Sequence, residues 1–232
     1  MKIDLLDHGF VRHVDHMGSD LSVVRAARVS YDAAWRAGTD EGSDIRLIRY
    51  LWKNRHTSPF EAVEFQFEVK APIFVFRQWH RHRTWSFNEL SARYRELPEE
   101  FYVPEPHLIG VQSASSKQAR DISDPEEYTE ADNILSDRRF ETHLMREHCE
   151  KAFELYRNLL AKGWPRELAR SVLPVNTYSH MFAKVDLRNL LGFLDLRVDP
   201  HAQYEIRVYA EAMRDIAKTI APACVAAWEE SR

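Results

Sequence analysis

Residues 62–71, AVEFQFEVKA, alternate strictly. Val63, Phe65, Phe67 and Val69 point one way, and Glu64, Gln66 and Glu68 the other. A period of two belongs to a strand with one face in the core and one toward water. Pro72 ends the strand, because proline brings no amide to a ladder. Ile73–Trp79 then reads as helical. Upstream, Lys2–Leu6 and Phe10–Val14 read as two short strands joined near Gly9. Downstream, Val175–Val185 reads as a further strand.

Helices fill the spaces between these strands. Asp20 reads as the N-cap of a helix from Leu21 to about Val29. Ser43 reads as the cap of a second, with Ile45, Ile48 and Leu51 along one face and an end near Asn54. Arg138–Lys162 predicts a long helix ending at Gly163. Pro165 suits the first turn of a short helix, Arg166–Val172, stopped by Pro174. Asp186 caps a helix to about Arg197, and His201–Trp228 predicts one long amphipathic helix. Strands separated by helices of unequal length give an α+β fold with a mixed sheet and long helices, a single domain over residues 1–232. From Pro98 to Ser136 the composition turns to Pro, Ser, Asp and Glu, which predicts a loop or insertion, least ordered over Ser113–Asp124.

Composition narrows the function. The 232 residues are 44% hydrophobic and 29% charged, as in a globular chain. No apolar run approaches the ~20 residues that span a bilayer. The start, MKIDLLDHGF, is acidic where a signal peptide is basic and then apolar, and a cytoplasmic location is expected. Two cysteines, Cys149 and Cys224, make no disulfide framework. A net charge of -4 argues against a general nucleic-acid binder. The 7 glycines are nowhere spaced as G-x-G, which excludes the Rossmann fingerprint and the Walker A loop. A bound nucleotide must be held by side chains and helix ends.

The region dense in chemistry is residues 77–95, RQWHRHRTWSFNELSARYR. Arg77, Arg81, Arg83, Arg93 and Arg95 crowd into it with His80 and His82. Such clustering in an acidic protein builds an anion site. Trp79, Trp85, Phe87 and Tyr94 add rings suited to a planar heterocycle that carries phosphate. Ser86, Asn88 and Ser91 add neutral hydrogen-bonding groups, and Asn88–Arg93 reads as a helix start facing a phosphate. A solvated basic face would not carry these aromatics between its charges.

Arg81-His82-Arg83-x-x-Ser86-x-Asn88-x-x-Ser91-x-Arg93 matches the signature RHRxxSxNxxSxR at every specified position. With MKIDLLDHGFV, DLSVVRAARVSYD, HTSPFEAVEFQFEVKAPIFVFRQW, PRELARSVLPVNTYS and LRVDPHAQYEI, the chain resembles the flavin-dependent thymidylate synthases over most of its length. Residues 111–138 resemble nothing in that family, as a variable insertion would. The resemblance implies a homotetramer with FAD sites shared between subunits. It also implies conversion of dUMP to dTMP with methylenetetrahydrofolate as carbon donor and FAD reduced by NADPH. Arg81, His82, Arg83, Ser58, Asp186, Leu187 and Arg188 are the implied FAD contacts, with Glu89 at both flavin and nucleotide. Gln78, Arg81, Leu90, Ser91, Ala92, Arg93 and Arg170 are the implied dUMP contacts, Leu90 and Ala92 donating from the helix start and Arg170 coming from another chain. Arg197 is implied against the uracil ring, and His56 near flavin and folate. Asp186 stands where some relatives have Asn. Gly192 stands where some have Asn or His, so any flavin hydrogen bond from that side chain is lost here.

The residues suit this chemistry. Methylating C5 of uracil needs that carbon made nucleophilic. Neither Cys149 nor Cys224 has the Arg and His neighbours that would make a reactive thiolate. An always-charged Arg197 can instead stabilise negative charge at N3 and O4. Ser91 has no paired base and reads as a substrate-binding hydroxyl. His13 with His16, and His143 with His148, lack a third ligand, so no metal is expected. His201 and Gln203 suit either substrate contact or packing on the Arg197 loop. The competing readings are a nucleotide- or RNA-binding module without catalysis, and a flavin oxidoreductase without methyl transfer.

Overall fold

The computed structural model describes residues 1–122 and 131–232, with the backbone alone for 131–136. In chain order the elements are β1 (Lys2–Leu5), β2 (Gly9–Met17), α1 (Asp20–Arg28), α2 (Glu41–Lys53), β3 (Glu64–Pro72), α3 (Ile73–Trp79) and β4 (Ser86–Glu89). There follow β5 (Val111–Gln112), β6 (Arg120–Asp121), α4 (Ala131–Ala161), α5 (Arg166–Ala169), β7 (Tyr178–Asp186), α6 (Leu187–Arg197), α7 (Tyr204–Ile220) and α8 (Pro222–Glu229).

The main sheet has the order β1-β2-β3-β7-β4. Every pairing in it is antiparallel, where a mixed sheet was expected from the helices between the strands. The α+β class stands, because α1–α3 and α6–α8 pack on the sheet in one core while no helix crosses over between parallel strands. Strand β3 is the hinge of this arrangement. Val63, Phe65, Phe67 and Val69 are fully buried under the helices, as their alternation requires. Glu68, on the other face, is also buried, covered by Arg12 and by His180, whose Nε2 lies 2.7 Å from Oε1. β2 runs past Val14 because its register shifts between His13 and Asp15, and the extra residue is Val14.

Capping differs from expectation in an instructive way. The carboxylate of Asp20 does not serve its own helix. It accepts from the amides of Ala223 and Cys224, both at 2.9 Å, and so caps α8 across the fold. Asp40, not Ser43, caps α2, accepting from the Ser43 amide at 3.0 Å. Asp186 caps α6 as expected, accepting from the Asn189 amide at 2.9 Å. The single C-terminal helix is two helices. Pro222 forces Ala221 out of the helical region, to φ -132 and ψ 63, and the chain turns there.

A second, smaller apolar cluster sits beneath α4 and holds Phe101, Val103, Cys149, Phe153, Tyr156 and Ala169. α4 begins at Ala131, ahead of the expected Arg138, and Gly163 ends the turn after it at φ 82. Of the segment expected to be least ordered, residues 113–122 are closed into a β5–β6 ribbon, and residues 123 and 124 lie outside the described residues.

Candidate active site

The site is organised by α6, whose eleven residues carry functional groups at both ends. At 1.5 Å per residue its ends are about 15 Å apart. One cluster forms at each.

At the C-terminal end stands Arg197, half-buried. Its Nε donates to Nε2 of His82 at 3.1 Å, and its Nη2 to the backbone oxygen of Gln78 at 3.4 Å. Both partners are neutral acceptors, and among the described residues no carboxylate pairs with this guanidinium. Three N–H donors are left for a ligand. His82 must be unprotonated on Nε2 to accept, so its proton sits on Nδ1. Burial, and then the charge of Arg197, pull its pKa from 6.5 down to about 4. The reason this geometry persists is aromatic. Phe193, one helical turn before Arg197, lies 4.9 Å from the His82 ring, 5.0 Å from Trp79 and 5.1 Å from Trp85.

That packing corrects the reading of the aromatics. Trp79 and Trp85 are core residues, 0% and 6% exposed, and offer no face for stacking. Phe87 packs on His80 at 4.8 Å. Tyr94 alone of the four is open, at 82%. A nucleic-acid-binding surface built on those rings loses its basis. The two tryptophans instead hold the loop from His80 to Thr84 at a fixed height, and Arg81 and Arg83 project from it, exposed and without an ion pair among the described residues.

The stretch after the loop is not a helix start. Ser86–Glu89 is β4, paired with β7 from Ser86↔Lys184 to Glu89↔Met181. The edge of β7 was there to be paired. The Leu90 amide extends that pairing, donating to His180 O at 2.8 Å, so it is not the free donor that a helix start would offer. A turn follows, with the Tyr94 amide on Ser91 O at 3.1 Å and the Arg93 amide on Ser91 Oγ at 3.3 Å. Ala92 is buried in this turn. Glu89 is fixed by Ser179, whose hydroxyl donates to Oε1 at 2.6 Å. Arg93 reaches Glu167 on α5 at 3.1 Å, three residues before the exposed Arg170.

At the N-terminal end of α6, Arg188 donates from Nε to the Thr57 hydroxyl at 3.0 Å. That bond places it beside His56 and Ser58, both exposed at the entry to β3. Asp186 is occupied with capping, its Oδ2 also accepting from Asn189 Nδ2 at 2.6 Å. Leu187 turns into the core, and its amide donates to Val63 O at 2.8 Å, so neither its side chain nor its amide is open to a cofactor. Gly192 lies between the two ends of α6, on the same exposed face as Arg188, and a Cβ there would meet nothing within 4 Å. The helix surface between the clusters is therefore clear.

Phe193, which the sequence reading does not single out, and Gln203, expected either at the substrate or packed on the Arg197 loop, also reach the site. Phe193 was legible from its position one turn before Arg197. Gln203 accepts on Oε1 from Gln78 Nε2, which joins the start of α7 to the site. The cavity between the β5–β6 ribbon and α7, about 190 Å³, is lined by Arg120, Gln203, Tyr204 and Arg207 among others and excludes Arg81 and Arg83. His13 and His16 sit 3.2 Å apart, and among the described residues no group of three ligand side chains forms.

The family model described as "Thymidylate synthase complementing protein" matches residues 12–223. The chain is 48% identical to a flavin-dependent thymidylate synthase of Gluconobacter oxydans over 99% of its own length and 73% of the relative's. It is likewise 48% identical to one of Thermus thermophilus, over 99% and 79%. A solved structure of the UMP/dUMP methylase PolB from Streptomyces cacaoi, bound with 5-Br dUMP, is 40% identical with a TM-score of 0.83, covering 98% of this chain and 97% of that one. The protein described here belongs to the flavin-dependent thymidylate synthase family.

Proposed function

We propose that this protein catalyses the reductive methylation of dUMP to dTMP, with methylenetetrahydrofolate as carbon donor and FAD reduced by NADPH. The observation that carries the reading is the bonding of Arg197. A half-buried guanidinium held only by neutral acceptors keeps its full charge for a ligand. Placed against uracil, it stabilises negative charge at N3 and O4 and so makes C5 nucleophilic. His82 and the Gln78 carbonyl set the plane of the fork.

The remaining residues divide by chemistry. Ser91, Arg93 and Arg170 suit the phosphate and sugar of dUMP, with Gln78 and Glu89 at its inner edge. Exposed Arg81 and Arg83 suit the diphosphate of a dinucleotide, and Ser58 and Arg188 offer hydroxyl and guanidinium donors at the other end of α6. The clear surface over Gly192 fits a flat group lying there. FAD supplies the reducing electrons when bound. No thiol of this chain is suited to attack. Burial raises the pKa of both Cys149 and Cys224, and the Asp20 charge raises Cys224 further.

A homotetramer with sites shared between subunits accords with two features. The clusters at the ends of α6 are about 15 Å apart in one chain. On α4, Phe140, Leu144 and Leu155 are exposed along one side, and Trp164 and Leu168 are exposed just beyond it, an apolar surface suited to a second copy. We take the chain as one domain acting in the cytoplasm, as fits an enzyme of nucleotide biosynthesis. The test is an omission assay. Purified protein showing the flavin absorbance band should form dTMP only when dUMP, methylenetetrahydrofolate and NADPH are all present. Flavin-loaded protein that oxidises NADPH and makes no dTMP would reduce the reading to an oxidoreductase.

A further inference from the structure

Glu205 is 2% exposed and lies in the first turn of α7. Its Oε1 accepts from Arg120 Nη2 at 2.9 Å and from the Tyr102 hydroxyl at 3.1 Å. Its Oε2 accepts from Gln203 Nε2 at 2.9 Å. A carboxylate paired with arginine can only accept, so it dictates which way the Gln203 amide faces. The nitrogen turns to Glu205 and the carbonyl turns away. That carbonyl meets Nε2 of Gln78, so the second amide is set as well. The polarity runs through two side chains and ends with Oε1 of Gln78 presented as an acceptor. Among the described residues the cation at Glu205 is Arg120, on the β5–β6 ribbon.

We propose that the β5–β6 ribbon is a positioning element for the nucleotide: through Glu205 and Gln203, Arg120 holds the side-chain Oε1 of Gln78 toward a hydrogen-bond donor of bound dUMP. The ribbon thereby sets affinity for the substrate without touching it. With the relay broken, Gln78 rotates between an acceptor and a donor face, and the bound nucleotide loses one hydrogen bond. Arg120, Glu205 and Gln203 are positioning residues, and the proposal rests on reading Gln78 as a dUMP contact.

The experiment is a double-mutant cycle on FAD-loaded protein, read as the Kd for dUMP by calorimetry, with FAD content measured in parallel. Arg120→Met and Glu205→Gln should each weaken dUMP about twofold to tenfold, the equivalent of one neutral hydrogen bond, with FAD content unchanged. Gln203→Met leaves the ion pair whole and should do the same, so it serves where either of the others fails to fold. In a Gln78→Ala background these changes should have no further effect, because the residue they position is gone. Equal losses with and without Gln78 would show general loosening and overturn the relay, as would unchanged affinity in all three variants. Wild-type protein that does not bind dUMP would overturn the functional reading, and the relay with it. Wild-type protein that binds dUMP while the variants match it overturns the relay alone.

Discussion

Nε of Arg197 lies 3.1 Å from Nε2 of His82, two residues 115 positions apart in the chain. The contact needs a lone pair on His82. Its pKa, lowered from 6.5 to about 4 by burial and by Arg197, keeps that lone pair free at any physiological pH. Above pH 6.5 the ring is neutral in folded and unfolded chains alike, and it adds no pH dependence. Between 6.5 and 4 the unfolded chain takes a proton that the folded one refuses, so stability falls as pH falls, and the loss is complete below about 4. A ¹⁵N titration of the His82 ring should show an Nδ1–H tautomer and a midpoint near 4. A midpoint near 6.5 would mean that Arg197 is not held this way.

Phe193→Ala should cost about 3–5 kcal/mol, since it empties a fully buried site that Trp79, Trp85 and His82 all touch. Urea unfolding measures this. A loss under about 1 kcal/mol would show that the aromatic cluster does not hold the loop bearing Arg81 and Arg83.

Gly192→Ala separates stability from cofactor binding. A Cβ meets no protein atom, so the flavin-free protein should gain up to about 1 kcal/mol of helix stability. If a flat group lies over the bare helix, the same methyl should lower FAD retention. Unchanged retention would place the flavin elsewhere.

How much of this was legible follows from where the signal lies. The AVEFQFEVKA strand and the Asp186 cap are local patterns; the cap and the inward face of the strand stand as read, while Glu68 on the other face is buried by Arg12 and His180. The cap from Asp20 and the break at Pro222 differ from the sequence reading for different reasons. Asp20 caps a helix 203 residues away, which no local window contains. The break at Pro222 lies between two stretches that share the helical period, so periodicity alone runs them together. Trp79 and Trp85 suggest ligand-stacking rings because charge surrounds them in sequence, yet both flank the exposed loop and pack inward on Phe193. The strand Ser86–Glu89 was hidden by its shortness and by the pull of its polar groups toward a helix-cap reading. The motif is local, and it points to the loop that bears Arg81 and Arg83. The relay from Arg120 to Gln78 joins three distant segments and has no sequence signature at all.

Sharing of sites is tested by complementation. Arg197→Ala and Arg81→Ala subunits, each inactive, should regain activity above either parent when mixed, because one hybrid site receives both intact residues. No recovery, with subunit exchange verified by native mass spectrometry, would show that both residues serve one site from one chain.

The central claim is that Arg197, and no cysteine, activates the pyrimidine. It is tested most directly by dTMP formation in two variants under identical conditions. The Cys149→Ala, Cys224→Ala double variant should keep most of its turnover and lose about 1 kcal/mol of stability per site. Arg197→Lys keeps the charge and loses the fork, so it should retain FAD and dUMP binding while turnover drops about a hundredfold or more. A folded, FAD-loaded cysteine-free variant that makes no dTMP, or an Arg197→Lys variant with wild-type turnover, would contradict the account.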